Sequence, residues 1–131
     1  MPHITVEYTD NLDFDRQGLL ADLQQALVET GAVAQKGIKS RAVRITDYRI
    51  ADGYRDYAFV HVGLLVREGR SPEIKQAMVE NTMGVLKKAF GGRFDDSYLS
   101  LSVDLKEMHA GTALTLHNVP KDGVGPGSQE L

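Results

Sequence analysis

The stretch from Tyr57 to Val66 limits what this chain can fold into more than any other. Ala58, Val60, Val62 and Leu64 recur with the period of two that a strand requires. The alternate positions, Phe59, His61, Gly63 and Leu65, are largely apolar as well. A strand apolar on both sides belongs in the middle of a sheet that is covered twice. One layer of helices covers one face, and the other face then calls for a partner subunit.

The segments around this strand supply the rest of the sheet. Ile4-Thr5-Val6-Glu7-Tyr8 alternates apolar and polar residues and is β-branched or aromatic, so a strand is expected from about His3 to Tyr8. Asp13 or Asp15 can cap the helix that follows, in which Leu19, Leu20, Leu23, Ala26 and Leu27 share one face and which Gly31 is placed to stop. The segment from Ala32 to Ser40 shows no period and is expected to be a loop. A second strand is expected from about Arg41 to Ile50, closed by the turn residues Ala51-Asp52-Gly53. After the Tyr57–Val66 strand, Ser71 is a favoured N-cap, Pro72 suits the first helical position, and Glu73 complements the positive helix end. Ile74, Ala77, Met78, Val85, Leu86, Ala89 and Phe90 continue that helix as one apolar stripe up to Gly91-Gly92. A last strand from about Tyr98 to Leu105 turns Leu99, Leu101, Val103 and Leu105 inward and Ser100, Ser102 and Asp104 outward.

The order is strand-helix-strand twice over. It predicts an α+β fold, β-α-β-β-α-β in a ferredoxin-like layout, with a four-stranded sheet carrying two helices on one face. One domain is expected over residues 1–118, with Leu114 and Leu116 forming a short edge strand, followed by a Gly/Pro-rich disordered tail over 119–131.

Composition narrows the chemistry. The 131 residues contain no cysteine, which excludes disulfides, thiolate metal sites and a cysteine nucleophile. No apolar run approaches a membrane span and no signal peptide opens the chain, so a cytoplasmic protein with no membrane partner is expected. A net charge of −3 gives no global attraction to nucleic acid, and anion binding must come from a local cluster of cations.

The amino terminus offers a base. Proline after the initiator is small enough for Met1 to be removed, which leaves Pro2 with a free secondary amine. An α-amino group titrates near neutral pH, and burial or nearby cations lower its pKa further. That tuning is what proton-transfer catalysis needs. The amine would sit at the end of a regular strand rather than on a loose terminus. His3 alternates to the opposite face from Pro2. His61 reads as well as a packed, hydrogen-bonded histidine as it does as a pocket residue. His109 and His117 have no paired acidic ligands, so no metal site is expected. Glu7 and Asp104 read as strand-surface charges, and Arg44, Arg49, Arg55 and Arg67 mostly as a solvated face.

Taken together and in order, Pro2-His3-Ile4, Gly37-Ile38-Lys39-Ser40-Arg41, Ala51-Asp52-Gly53, Asp56-Tyr57-Ala58-Phe59-Val60-His61 and Gly69-Arg70-Ser71 resemble the 5-carboxymethyl-2-hydroxymuconate Δ-isomerase family of the tautomerase superfamily. The resemblance runs from Pro2 to about Asn118. It implies a homotrimer whose amino-terminal proline lies in a pocket near a subunit boundary, and an isomerisation step in homoprotocatechuate breakdown. It implies that Pro2 is the general base and that Arg70 binds or polarises the substrate, with Arg41 and Lys39 as further substrate-binding cations. Lys39 stands where some members carry arginine, and lysine cannot offer a carboxylate the planar two-point fork of arginine. Arg41 is therefore expected to do more of the orienting. No metal, nucleotide or prosthetic group is required. Two other readings fit the same residues. One is a different tautomerase-superfamily activity, such as keto–enol tautomerisation of an arylpyruvate, which needs a single cation. The other is a non-catalytic trimeric binding protein, to which a retained Met1 would point.

Overall fold

The computed structural model describes residues 2–120. The elements run in the expected order: β1 (His3–Thr9), α1 (Arg16–Val28), β2 (Lys39–Ile45), β3 (Ala58–Arg67), α2 (Pro72–Phe90), a four-residue α3 (Arg93–Asp96) and β4 (Leu99–Met108). Single 3-10 turns lie at Gln35–Gly37 and Ala110–Thr112. Among the described residues no helix is long and apolar enough to cross a membrane.

The four strands hydrogen-bond in the order β2-β1-β3-β4. β1 is parallel to β2, β3 is parallel to β4, and the central pair β1–β3 is antiparallel. Each β-α-β unit thus keeps its two strands adjacent, and the two units meet along β1 and β3. Both central strands bury alternate residues under the helices: Ile4, Val6 and Tyr8 on β1, and Ala58, Val60, Val62, Leu64 and Val66 on β3. Leu19, Leu23 and Leu27 of α1 and Met78, Leu86 and Phe90 of α2 close the same core from above. Leu99, Leu101, Val103 and Leu105 of β4 pack against it, as their alternation requires. Phe14, in the β1–α1 loop, meets Tyr8 and Phe90 edge-on at 4.9 and 5.1 Å and ties the two ends of the core together.

Among the described residues the other face of the sheet carries no helix. Phe59, His61, Gly63 and Leu65 are only partly buried there, and Val43 of β2 is 39% exposed. Within one subunit β3 is covered on one side alone.

The helix boundaries follow their local signals. Asp15 caps α1 by accepting from the Gly18 amide at 3.0 Å, and Gly31 takes a φ of +78° just beyond the helix end. Ser71 caps α2 by accepting from the Ile74 amide at 3.2 Å, with Pro72 in the first turn.

Three expectations are corrected. β2 stops at Ile45 and not near Ile50, because its only neighbour, β1, ends at Thr9, directly opposite Ile45. Beyond that point a strand has nothing to pair with, and residues 46–57 run as an irregular loop with turns at 51–52 and 55–56. The helical turn α3 was not expected; it follows Gly91-Gly92 within two residues. Within the single chain, the segment expected as an edge strand at Leu114 and Leu116 pairs with no strand among the described residues, and the two side chains are 99% and 98% exposed. Of the expected tail, residues 121–131 lie outside the described residues.

Candidate active site

Pro2 lies buried immediately before β1, and its carbonyl accepts a hydrogen bond from the Lys39 amide at 3.0 Å. This bond continues the β1–β2 ladder by one step, so the amino terminus is clamped to the first residue of β2. The sheet gathers a set of cations at this end. β1 and β2 begin here with His3 opposite Lys39, and β3 ends here, with Leu65 opposite His3 and Arg67 as its last residue.

Arg41 lies on the face without helices, opposite Thr5, and its side chain reaches back toward the start of β1. Its Nη1 donates to Thr5 Oγ1 at 3.1 Å and its Nη2 lies 2.8 Å from His3 Nδ1. Lys39 shares that face, with its Nζ donating to the Gly37 carbonyl at 3.4 Å. His3 therefore stands between two cations. Partial burial, then the charges of Arg41 and Lys39, hold its pKa below the ordinary 6.5.

Arg70 approaches from another direction. Gly69 precedes it with a φ of +112°, a conformation that side-chain-bearing residues rarely adopt, and this turns the chain from β3 into the Ser71 cap. The Arg70 guanidinium donates to the Arg67 carbonyl at 2.9 Å and to the Ala32 carbonyl at 3.2 Å. It is fixed between the end of β3 and the loop after α1, at the sheet end that holds Pro2.

The expected site residues thus collect at one end of the sheet. His61 does not belong to them. It faces the side without helices, where its Nδ1 lies 2.6 Å from Ser102 Oγ and its Nε2 lies 3.3 Å from Asp104. It pairs in register with Glu7, four residues along β1 from His3, or roughly 13 Å at the usual strand rise. His61 is a satisfied mid-sheet histidine, and Asp104 is its partner rather than a free surface charge. His109 is also accounted for locally, since its Nδ1 accepts from the Gly111 amide.

What residue types alone could not reveal is the contact between His3 and Arg41. Strand alternation placed His3 on the face opposite Pro2, and it does lie there. Only the parallel register of β1 and β2 shows that this same face carries Arg41. Clefts on the single chain include one of about 370 Å³ lined by Gln24, Gln35 and Ser40, one of about 660 Å³ between α1 and α2 and one of about 410 Å³ beside Tyr57, Phe94 and Tyr98; Pro2 lines none of these three.

A family model described as 5-carboxymethyl-2-hydroxymuconate isomerase matches residues 2–121, nearly the whole chain. The chain belongs to that family. Membership makes it an enzyme of the isomerase class. An Escherichia coli protein, 5-carboxymethyl-2-hydroxymuconate Delta-isomerase, is 35% identical over 121 residues, covering 91% of this chain and 96% of the relative. The crystal structure of a 5-carboxymethyl-2-hydroxymuconate isomerase from Deinococcus radiodurans R1 superposes with a TM-score of 0.85 at 34% identity, covering 89% of this chain and 90% of the other. Further away, a fused 4-OT described as a wild-type symmetric trimer shares the fold at a TM-score of 0.65 and 18% identity, over 95% of this chain and 99% of its own.

Proposed function

We propose that this enzyme moves a double bond in 5-carboxymethyl-2-hydroxymuconate by proton transfer through the amine of Pro2. The observation that carries the reading is the burial of Pro2 at the sheet end near which Lys39, Arg41 and Arg70 also lie. With Met1 removed, Pro2 carries a secondary amine in a partly dry and cationic setting, and both features favour the neutral form. The same field acts on His3, the next residue, whose protonation it opposes. Neutral Pro2 takes the proton of the substrate's hydroxyl, and the electron pair moves into the conjugated system as a dienolate. The proton then returns from Pro2 to C5, so one proton is moved and none is gained or lost. Arg70 and Arg41, with Lys39 in a lesser part, hold the carboxylates and steady the negative charge as it spreads. A polycarboxylate needs at least two such cations, and the sheet end offers them.

The test is turnover of 5-carboxymethyl-2-hydroxymuconate against that of an arylpyruvate, followed by ultraviolet absorbance. The expected outcome is a specificity constant for the polycarboxylate at least a hundredfold above that for the arylpyruvate, since each charge-assisted bond to a second carboxylate contributes about tenfold or more. Equal rates on both, or a faster arylpyruvate, would move the chain to another activity of the tautomerase superfamily.

The same reading makes the working unit a homotrimer. It is supported by the partly buried row Phe59, His61, Gly63 and Leu65 on the helix-free face of β3, and by Leu114 and Leu116 lying bare on the single chain. Sheets facing one another around a three-fold axis would bury that row and complete the pocket around Pro2. Light scattering at micromolar concentration is expected to give three times the mass of one chain. A monomer would contradict the arrangement.

A further inference from the structure

The imidazole of His3 has no part in the chemistry described above, yet it touches one of the cations that chemistry uses. Arg41 Nη2 lies 2.8 Å from His3 Nδ1, while Nη1 is anchored on Thr5 Oγ1 at 3.1 Å. A guanidinium has no acceptor, so this short contact exists only if Nδ1 keeps its lone pair and any ring proton sits on Nε2. The bond requires neutral imidazole. Thr5 holds the guanidinium at its own register position, and His3 draws it along β1 toward Pro2. Among the described residues the remaining N–H groups of Arg41 have no protein acceptor.

We propose that His3 is a positioning residue for the reaction: by accepting from Arg41 at Nδ1 it aims the guanidinium at the substrate carboxylate held beside Pro2. This rests on the reading that Arg41 binds substrate. The surroundings suit the role. On β2, His3 faces Lys39 and Arg41; on β3 it faces Leu65, with Gly63 next along the same face. Lys106 and Asp104 of β4 lie two strands away, roughly 10 Å, and Asp104 is engaged by His61. On β1 itself the nearest acid of this face is Glu7, roughly 13 Å off. Among the described residues no carboxylate stands close enough to hold His3 as imidazolium, and partial burial together with the two cations opposes its protonation. Once protonated, Nδ1 becomes a donor, the bond to Arg41 is lost, and the two positive groups repel.

The experiment measures KM and kcat on 5-carboxymethyl-2-hydroxymuconate from about pH 5 to pH 8 for the wild type, His3→Ala, His3→Asn and Arg41→Ala. His3→Ala is expected to raise KM roughly tenfold with kcat within about twofold, the loss of one hydrogen bond to a charged group. His3→Asn places a non-titrating amide oxygen where Nδ1 stood and is expected to keep KM near wild type at neutral pH. The wild-type KM is expected to climb as pH falls through the His3 titration, below 6.5, and His3→Asn is expected to lack that part of the climb. An identical climb in both proteins overturns the proposal, and this comparison decides alone if His3→Ala does not fold. A KM unchanged in His3→Ala but raised in Arg41→Ala also overturns it, while leaving Arg41 as a substrate-binding residue. A KM unchanged in Arg41→Ala places the failure one step earlier, in the assignment of Arg41, and the role of His3 falls with it.

Discussion

Pro2→Ala is expected to keep its fold and to lose about a hundredfold or more in kcat, the usual scale for removing a positioned proton-transfer group. The fold should survive because Pro2 contributes only its carbonyl to the sheet, in the bond from the Lys39 amide, and alanine supplies the same carbonyl. The lost ring methylenes cost about 0.8 kcal/mol each if fully buried, a modest part of the stability of a domain this size. What changes is the base. A primary amine is intrinsically a weaker base than the secondary pyrrolidine nitrogen, and on a smaller, freer residue its lone pair is less firmly directed at the substrate. Intact mass should show the active protein beginning at Pro2, and a form that keeps Met1 should be as impaired as the variant, because its proline nitrogen is an amide without basicity. Full activity in either protein would remove Pro2 from the mechanism.

Arg70→Ala should lower kcat/KM by roughly ten- to a hundredfold, equivalent to about 1.5–3 kcal/mol for a charge-assisted bond to a bound carboxylate. Both turnover and binding should suffer, because the guanidinium meets the substrate's charge in the ground state and again as the dienolate develops. Arg70 also bridges the Arg67 and Ala32 carbonyls, so a small stability loss should accompany the kinetic one. A thermal melt separates the two. Lys39→Ala should lose less activity, since a flexible ammonium orients a carboxylate poorly and Lys39 Nζ makes only a long contact to Gly37 in the free protein. A crippled Lys39→Ala beside a near-wild-type Arg70→Ala would reverse the roles given to these two cations.

Features that rest on neighbours in the chain were determined by the sequence by itself. Alternation marked β1, β3 and β4, Asp13 or Asp15 and Ser71 announced the helix starts, and Gly31 announced one helix end, because each signal acts within a few residues. The two-sided apolar character of β3 likewise placed it at the sheet centre before any pairing was known. Pro2 stood out because a terminal amine has distinctive chemistry wherever it folds, whereas Arg70 was singled out only through the family resemblance.

Tertiary structure decided the matters that depend on a distant partner. The order β2-β1-β3-β4 keeps each unit's strands adjacent, whereas the succession of elements is equally compatible with a strand inserted between them. β2 ended at Ile45 because Thr9, on another strand, ran out of chain to offer it. Leu114 and Leu116 read as a strand but stay single, because alternation describes a side chain's preference and a strand needs a neighbour's backbone. The site shows the same division. Arg41 meets His3 across 38 residues and Arg70 meets the Ala32 carbonyl across another 38, and no local pattern carries such contacts. Periodicity determines which face a residue takes, while strand register determines which residue of another segment shares that face, and register is set by the packing of the whole core.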